Sequence, residues 1–240
     1  FHFELPGSVQ GFRLNRGAGV VENVKGQSVL GSRTLCFQGD KGAAIGSPVF
    51  APSKDIAKMF EQRGYALLSS PKIYPGQIIE AQVSTASKQG MDCRLYLSYY
   101  GENDEVAHVY GAAAHLTSEQ NLELHLSVPE YAHPIFEVGI ELLSKGVLHL
   151  DCLRWVGMPN VNFSRPAGKG TMWRRAWVAA VDSYSSRPEP YRLVQNQGTG
   201  LLIQGSREWT NYHLEADITP HLARRVGLAG RVQGLRRYYS

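Results

Sequence analysis

The stretch Arg94-Leu95-Tyr96-Leu97-Ser98-Tyr99-Tyr100 decides the fold. Leu95, Leu97 and Tyr99 fall on one side of an extended chain and Arg94, Tyr96, Ser98 and Tyr100 on the other, which is the signature of a strand with one face buried. Leu122, Leu124, Leu126 and Val128 alternate in the same way with Glu123, His125 and Ser127. Tyr212, Leu214, Ala216 and Ile218 do so against His213, Glu215, Asp217 and Thr219. Glycine and proline punctuate the chain at short intervals, as in Leu5-Pro6-Gly7, Tyr74-Pro75-Gly76 and Val128-Pro129, the spacing of an all-β sandwich or barrel. One helix is expected, capped by Ser53, running from Lys54 to Arg63 and ended by Gly64.

The composition agrees with a globular chain. Of 240 residues 43% are hydrophobic and 19% charged, which excludes disorder, collagen and coiled coil. No stretch approaches the ~20 apolar residues that span a bilayer. The first residues, Phe1-His2-Phe3-Glu4, carry neither a basic region nor an apolar signal core, and the missing initiator Met suggests a mature product or an excised fragment. Extracellular and cytoplasmic locations both remain open.

The net charge of +4 is unevenly spread: residues 1–164 hold 13 Lys and Arg against 16 Asp and Glu, residues 165–240 hold 12 against 5. Such a step marks a domain boundary, and a solvated arginine-rich face explains the basic part better than nucleic acid or membrane. The boundary falls in Pro159 to Arg192, where Pro and Gly surround Trp173-Arg174-Arg175-Ala176-Trp177, so the expected organisation is a sandwich over 1–160, a linker with a Trp anchor over 161–190, and an unfinished second sandwich over 191–240. Cys36, Cys93 and Cys152 have no C-x-x-C spacing and sit in apolar or strand-like runs, as small buried hydrophobes do, although one bridge with a leftover thiol is compatible with the count.

Catalytic motifs are missing. There is no G-x-S-x-G, no G-x-x-x-x-G-K-[ST], no H-E-x-x-H and no dinucleotide fingerprint. Glu102-Asn103-Asp104-Glu105 could hold a cation or supply paired carboxylates for glycoside hydrolysis, but a solvated hairpin tip accounts for it more simply. Arg94, Tyr96, Ser98 and Tyr100, with Glu123, His125 and Ser127, offer the aromatic and polar groups that a sugar needs, and Arg94, Tyr96, Tyr100 and His125 are the candidate ligand-binding residues. The two rows share a face only if their strands share a sheet. Trp155 and Trp209 lie in apolar runs beside turns, the setting of packing residues.

Phe3-Glu4, Gly11-Phe12, Gly31-Ser32-Arg33-Thr34-Leu35, Ser70 to Gln77, Pro134 to Glu141 and the closing run Val147-Leu148-His149-Leu150-Asp151-Cys152-Leu153-Arg154-Trp155 together resemble a galactose-binding-like carbohydrate-binding module. The tail, from Gly205-Ser206-Arg207-Glu208-Trp209 through Gly227 to Gly234 and Arg237-Tyr238-Tyr239, resembles the first part of a concanavalin A-like, laminin G-like jelly roll. The tandem is similar to the non-catalytic region of some bacterial ADP-ribosylglycohydrolase-like proteins. These resemblances imply an antiparallel jelly-roll β-sandwich, a carbohydrate or glycan-like ligand, no catalytic residues in this chain, and a catalytic domain elsewhere in the parent protein. They also imply structural Ca²⁺ between Glu4 and Asp151. Two other readings stand beside binding: a region that completes a hydrolase active site, and a structural assembly module.

Overall fold

The computed structural model describes residues 1–26, 28–49, 70–118, 120–185 and 191–240. The helix expected over 54–63 lies outside them. Two antiparallel sheets face each other across one core. The first has the strand order β1 (Arg13–Arg16), β4 (Ala44–Pro48), β10 (Ile135–Leu142), β6 (Met91–Tyr100) and β7 (Val106–Tyr110), with β8 (Ala114–Leu116) pairing the start of β6. The second runs β2 (Gly19–Lys25), β3 (Arg33–Gly39), β11 (Gly146–Val156), β5 (Ile78–Ser84) and β9 (Asn121–Ser127). This is an antiparallel jelly-roll β-sandwich.

Alternation builds the core. Leu35 and Phe37 from β3, Ile79 and Val83 from β5, Cys93, Leu95 and Leu97 from β6, Leu124 and Leu126 from β9, and Leu148 and Leu150 from β11 all turn inward and are buried. Each such aliphatic side chain contributes about 1.5–3 kcal/mol by leaving water. Ahead of β1, Phe3 and Phe12 close one end of the core with ring centroids 5.6 Å apart, and Trp155 packs edge-on to Phe1 at 6.3 Å. The three cysteines are free thiols, and burial pushes Cys93 up to about 12.

The region expected as a linker is packed against the sandwich. Residues 172–175 form a single helical turn, α1 (Met172–Arg175), in which Trp173 is buried. Trp177 meets Phe163 at 5.0 Å and Tyr191 at 5.3 Å, and Phe163 continues the stack to His133 and Tyr74. The fully buried Tyr74 phenol donates to Gln204 Oε1 at 2.7 Å and accepts from the Gly205 N–H at 2.9 Å, while Trp209 stands edge-on to its ring at 4.7 Å.

Over 191–240, where an unfinished second sandwich is expected, no sheet of more than two strands is formed among the described residues. There are three separate two-stranded pairs: β12 (Val178–Ala180) with β15 (Leu201–Ile203), β13 (Ser183–Ser185) with β14 (Arg192–Val194), and β16 (Gly230–Gly234) with β17 (Arg237–Tyr239). The alternating stretch Tyr212 to Ile218 belongs to no strand, and Leu214 and Ile218 are exposed. A period of two becomes a strand only where a neighbour supplies ladder hydrogen bonds and a covered face, and here neither is present among the described residues.

Candidate functional site

The outward side of the first sheet carries a connected grouping of polar and aromatic side chains. Register lays it out in rows across the strands. Glu141 of β10 lies opposite Arg94 of β6 and Ala44 of β4, which in turn faces Arg16 of β1. Gly139 lies opposite Tyr96 and Gly46, with Tyr110 of β7 beyond Tyr96. Glu137 lies opposite Ser98, with His108 beyond.

In the first row, Glu141 accepts from Arg16 Nη2 at 2.5 Å and from Arg94 Nε at 2.6 Å. The Arg94 guanidinium also lies over the Tyr110 ring, 3.9 Å from its centroid, so its plane is fixed from two directions. The middle row depends on two glycines. A Cβ on Gly139 would stand 2.0 Å from the Ile45 carbonyl oxygen and 2.6 Å from the Tyr96 ring, and one on Gly46 would stand 2.6 Å from the Tyr96 hydroxyl. Their hydrogens make room for Tyr96 to lie along the sheet.

Tyr96 donates to Glu137 Oε1 at 3.1 Å and accepts from Asn15 Nδ2 at 3.2 Å. Burial, reinforced by the Glu137 charge, raises the Tyr96 phenol above its ordinary value, which keeps it a donor at neutral pH. Ser98 Oγ reaches the same Glu137 oxygen at 3.4 Å and His108 Nδ1 at 2.9 Å. The last row is aromatic. A register shift between Ile135 and Glu137 turns Phe136 outward, where it stacks on Tyr100 with centroids 4.4 Å apart.

Of the residues expected to bind, the structure brings Arg94, Tyr96 and Tyr100 together and leaves His125 apart. β9 belongs to the second sheet, so its outward row points away from that of β6. There His125 lies 3.9 Å from Glu80 and 3.6 Å from Glu123, beside an Arg154–Glu80 pair at 2.7 Å. Sequence reasoning missed Asn15, Arg16, Tyr110, Phe136, Glu137 and Glu141. The two glutamates were visible as charges alternating with apolar residues in Glu137-Val138-Gly139-Ile140-Glu141. Their partners, on other strands, were not. Two open depressions elsewhere, one beside Ser28, Thr85 and Asn121 and one beside Trp155, Met158 and Trp209, involve none of these residues.

Glu4 and Asp151, from the first and last segments of the sandwich's sequence, grip one loop between β2 and β3. Asp151, buried, accepts from Ser28 Oγ at 2.5 Å and from the Val29 and Leu30 amides at 3.1 and 2.9 Å. Glu4 accepts from the Ser32 amide and hydroxyl and the Arg33 amide at 2.9–3.2 Å. These bonds, led by the Ser32 amide, hold Glu4 below the usual carboxylate range. The loop supplies hydrogen donors to both carboxylates, and among the described residues no three His, Cys, Asp or Glu side chains gather as a metal set. A calcium ion needs six to eight oxygens and would have to replace those donors.

No helix among the described residues is long and apolar enough to cross a membrane. No protein-family model matches the chain, and no curated protein matches it. Solved structures do. The CBM22-1 xylan-binding domain from Paenibacillus barcinonensis Xyn10C is 16% identical over 64% of this chain and 89% of its own, with a TM-score of 0.47. The CBM22-1-GH10 modules of Clostridium thermocellum Xyn10B, complexed with xylohexaose, are 14% identical over 65% of this chain and 27% of theirs, with a TM-score of 0.47. The CBM22-1-CBM22-2 tandem domain of the Paenibacillus enzyme is 15% identical over 77% of this chain and 54% of its own, with a TM-score of 0.51. What this chain shares with that tandem domain is the β-sandwich fold.

Proposed function

We propose that this chain is a non-catalytic carbohydrate-binding region, with its ligand on the outward face of the first sheet. The observation that carries the reading is the Tyr96–Glu137–Ser98 network, ordered before any ligand arrives, between a guanidinium fixed over Tyr110 and the stacked Tyr100–Phe136 pair. Sugars present apolar C–H faces and fans of hydroxyls, and such a face offers stacking beside donors and acceptors of fixed direction. Tyr100 with Phe136 supplies the platform. Arg94, Arg16, Glu137 and Tyr96 orient the hydroxyls.

Catalysis on this face is less well supported. The Glu137 carboxylate is engaged by the Tyr96 and Ser98 hydroxyls. Glu141 is also taken up by two arginines. The proposal therefore puts chemistry in a separate catalytic domain of a larger hydrolase, whose identity as an ADP-ribosylglycohydrolase-like protein rests on sequence resemblance.

Xylan, for which the xylan-binding domains with this kind of sandwich are named, is the first polysaccharide to try. Affinity electrophoresis and a glycan array on the wild-type chain and Arg94→Ala test the proposal. Retardation by at least one glycan, lost in the variant, supports it, and binding unchanged in a folded Arg94→Ala chain refutes the placement.

Calcium belongs to the proposal as a second tie on the loop held by Glu4 and Asp151. Carbonyls of that loop would complete the hard-oxygen set once the ion displaced the N–H and O–H donors.

A further inference from the structure

We infer that residues 168–175 close the Tyr100 end of the binding face, so that the site takes the terminus of a glycan chain rather than an internal stretch. The inference rests on the carbohydrate reading above and adds a substrate geometry to it.

The acidic stretch Glu102-Asn103-Asp104-Glu105 joins β6 to β7 just beyond Tyr100, and it does not end in solvent. Asp104 accepts from the Thr171 amide at 2.7 and 2.8 Å, from the Met172 amide at 2.7 Å and from the Thr171 hydroxyl at 3.3 Å. Asn103 Oδ1 accepts from the Lys169 amide at 3.0 Å, and the Glu102 carbonyl accepts from the Gly170 amide at 2.8 Å. Bonds to an ionised acceptor are the strong kind, and here several are directed at consecutive amides of one short segment.

The approach is close enough to require glycine. A Cβ on Gly168 would stand 2.2 Å from the Glu102 carbonyl oxygen, and one on Gly170 would stand 2.5 Å from Asp104 Oδ1. Asp104 itself is held at φ 67, the left-handed position that closes the short hairpin between Gly101 and Glu105. On the other side of the segment Trp173 is buried and its Nε1 donates back to the Gly170 carbonyl at 3.1 Å, which locks the turn.

Arg175 of α1 lies within electrostatic range of the Tyr100 phenol. Burial raises that phenol, Asp104 of the hairpin adds to the rise and the Arg175 charge of the strap opposes it. Arg94 to Tyr100 spans about 20 Å of strand. A sugar chain following that line past Tyr100 runs into the 168–175 segment. In the opposite direction the face ends at Arg16 and Arg94, whose side chains both reach solvent.

The test compares short and long forms of the same glycan. Xylohexaose with soluble xylan, and the matching oligomer and polymer of any other array hit, are titrated into the full chain, with sedimentation velocity reading proteins bound per polymer chain. Wild type is expected to bind oligomer and polymer with equal affinity per chain end and at one protein per end. Asp104→Ala, which releases the strap, is expected to bind several proteins along each polymer. Gly170→Val is a second releasing variant, and near-UV circular dichroism confirms the sandwich in each. Several wild-type proteins per polymer, or no gain in the folded Asp104→Ala chain, overturns the inference while leaving the carbohydrate reading intact. Binding to no glycan at all overturns both.

Discussion

Tyr96 on β6 hydrogen-bonds Glu137 on β10 across 3.1 Å, directly over the position where a side chain on Gly139 would lie. The contact ties the candidate site to the backbone spacing of the sheet. Gly139→Ala is therefore expected to displace the Tyr96 ring and press on the Ile45 carbonyl, costing about 1–3 kcal/mol as overpacking does. Urea denaturation measures that loss. Tyr96→Phe keeps the ring and deletes the hydroxyl, so it should leave the sandwich folded yet weaken glycan binding.

Tyr100→Ala is expected to reduce affinity more than tenfold, about 1.4 kcal/mol, since a stacking anchor concentrates binding energy. His125→Ala should leave affinity unchanged, because His125 stands on the other sheet with Glu80 and Glu123. Calorimetric titration of both variants distinguishes this arrangement from one in which the β9 row binds.

His133 gives the chain an acid sensitivity with a definite window. Burial lowers its pKa to about 4, and Nδ1 has no hydrogen-bond partner among the described residues. Because the folded value lies below the unfolded one, this neutral histidine's stability contribution is complete above pH 6.5 and is lost as pH falls from 6.5 toward 4. The loss should approach about 3 kcal/mol at its limit. His133→Phe retains a ring against Tyr74 and Phe163, and its melting point should fall less steeply over that pH range than that of wild type.

Much of the sandwich was legible because strict alternation, as in Leu122 to Val128, encodes a face as well as a strand. The site was legible in part. Arg94, Tyr96 and Tyr100 share one strand, so parity alone groups them, whereas Glu137, Glu141, Arg16 and Tyr110 reach them through pairings among distant strands that local pattern does not specify. His125 was misplaced for the same reason: parity says which residues share a side, not which sheet they belong to. The tail misled in the other direction, since Tyr212 to Ile218 has the alternation of a strand without a partner strand among the described residues.

Calcium is expected to raise the melting midpoint, as any ligand confined to the native state does, and chelator should reverse the shift. Asp151→Asn should abolish the response. An unchanged midpoint in wild type with and without chelator removes calcium from the proposal and leaves Glu4 and Asp151 as hydrogen-bonding ties on the loop.

Hydrogen exchange should divide the molecule. Amides from Arg94 to Tyr100, in a strand paired on both sides in the first sheet, are expected to be far better protected than those from Tyr212 to Ala229, which lie outside the strand ladders. Equal protection would mean that the tail's alternating stretch is paired after all.

The most direct measurement for the central claim is amide and side-chain NMR of the labelled chain titrated with xylohexaose and with the array's strongest glycan. The account predicts saturable shifts confined to Asn15, Arg16, Arg94, Tyr96, Ser98, Tyr100, His108, Tyr110, Phe136, Glu137 and Glu141, on the outward face of the first sheet. Shifts centred instead on Glu80, Glu123, His125 and Arg154, or no saturable shift with any glycan on the array, would contradict it.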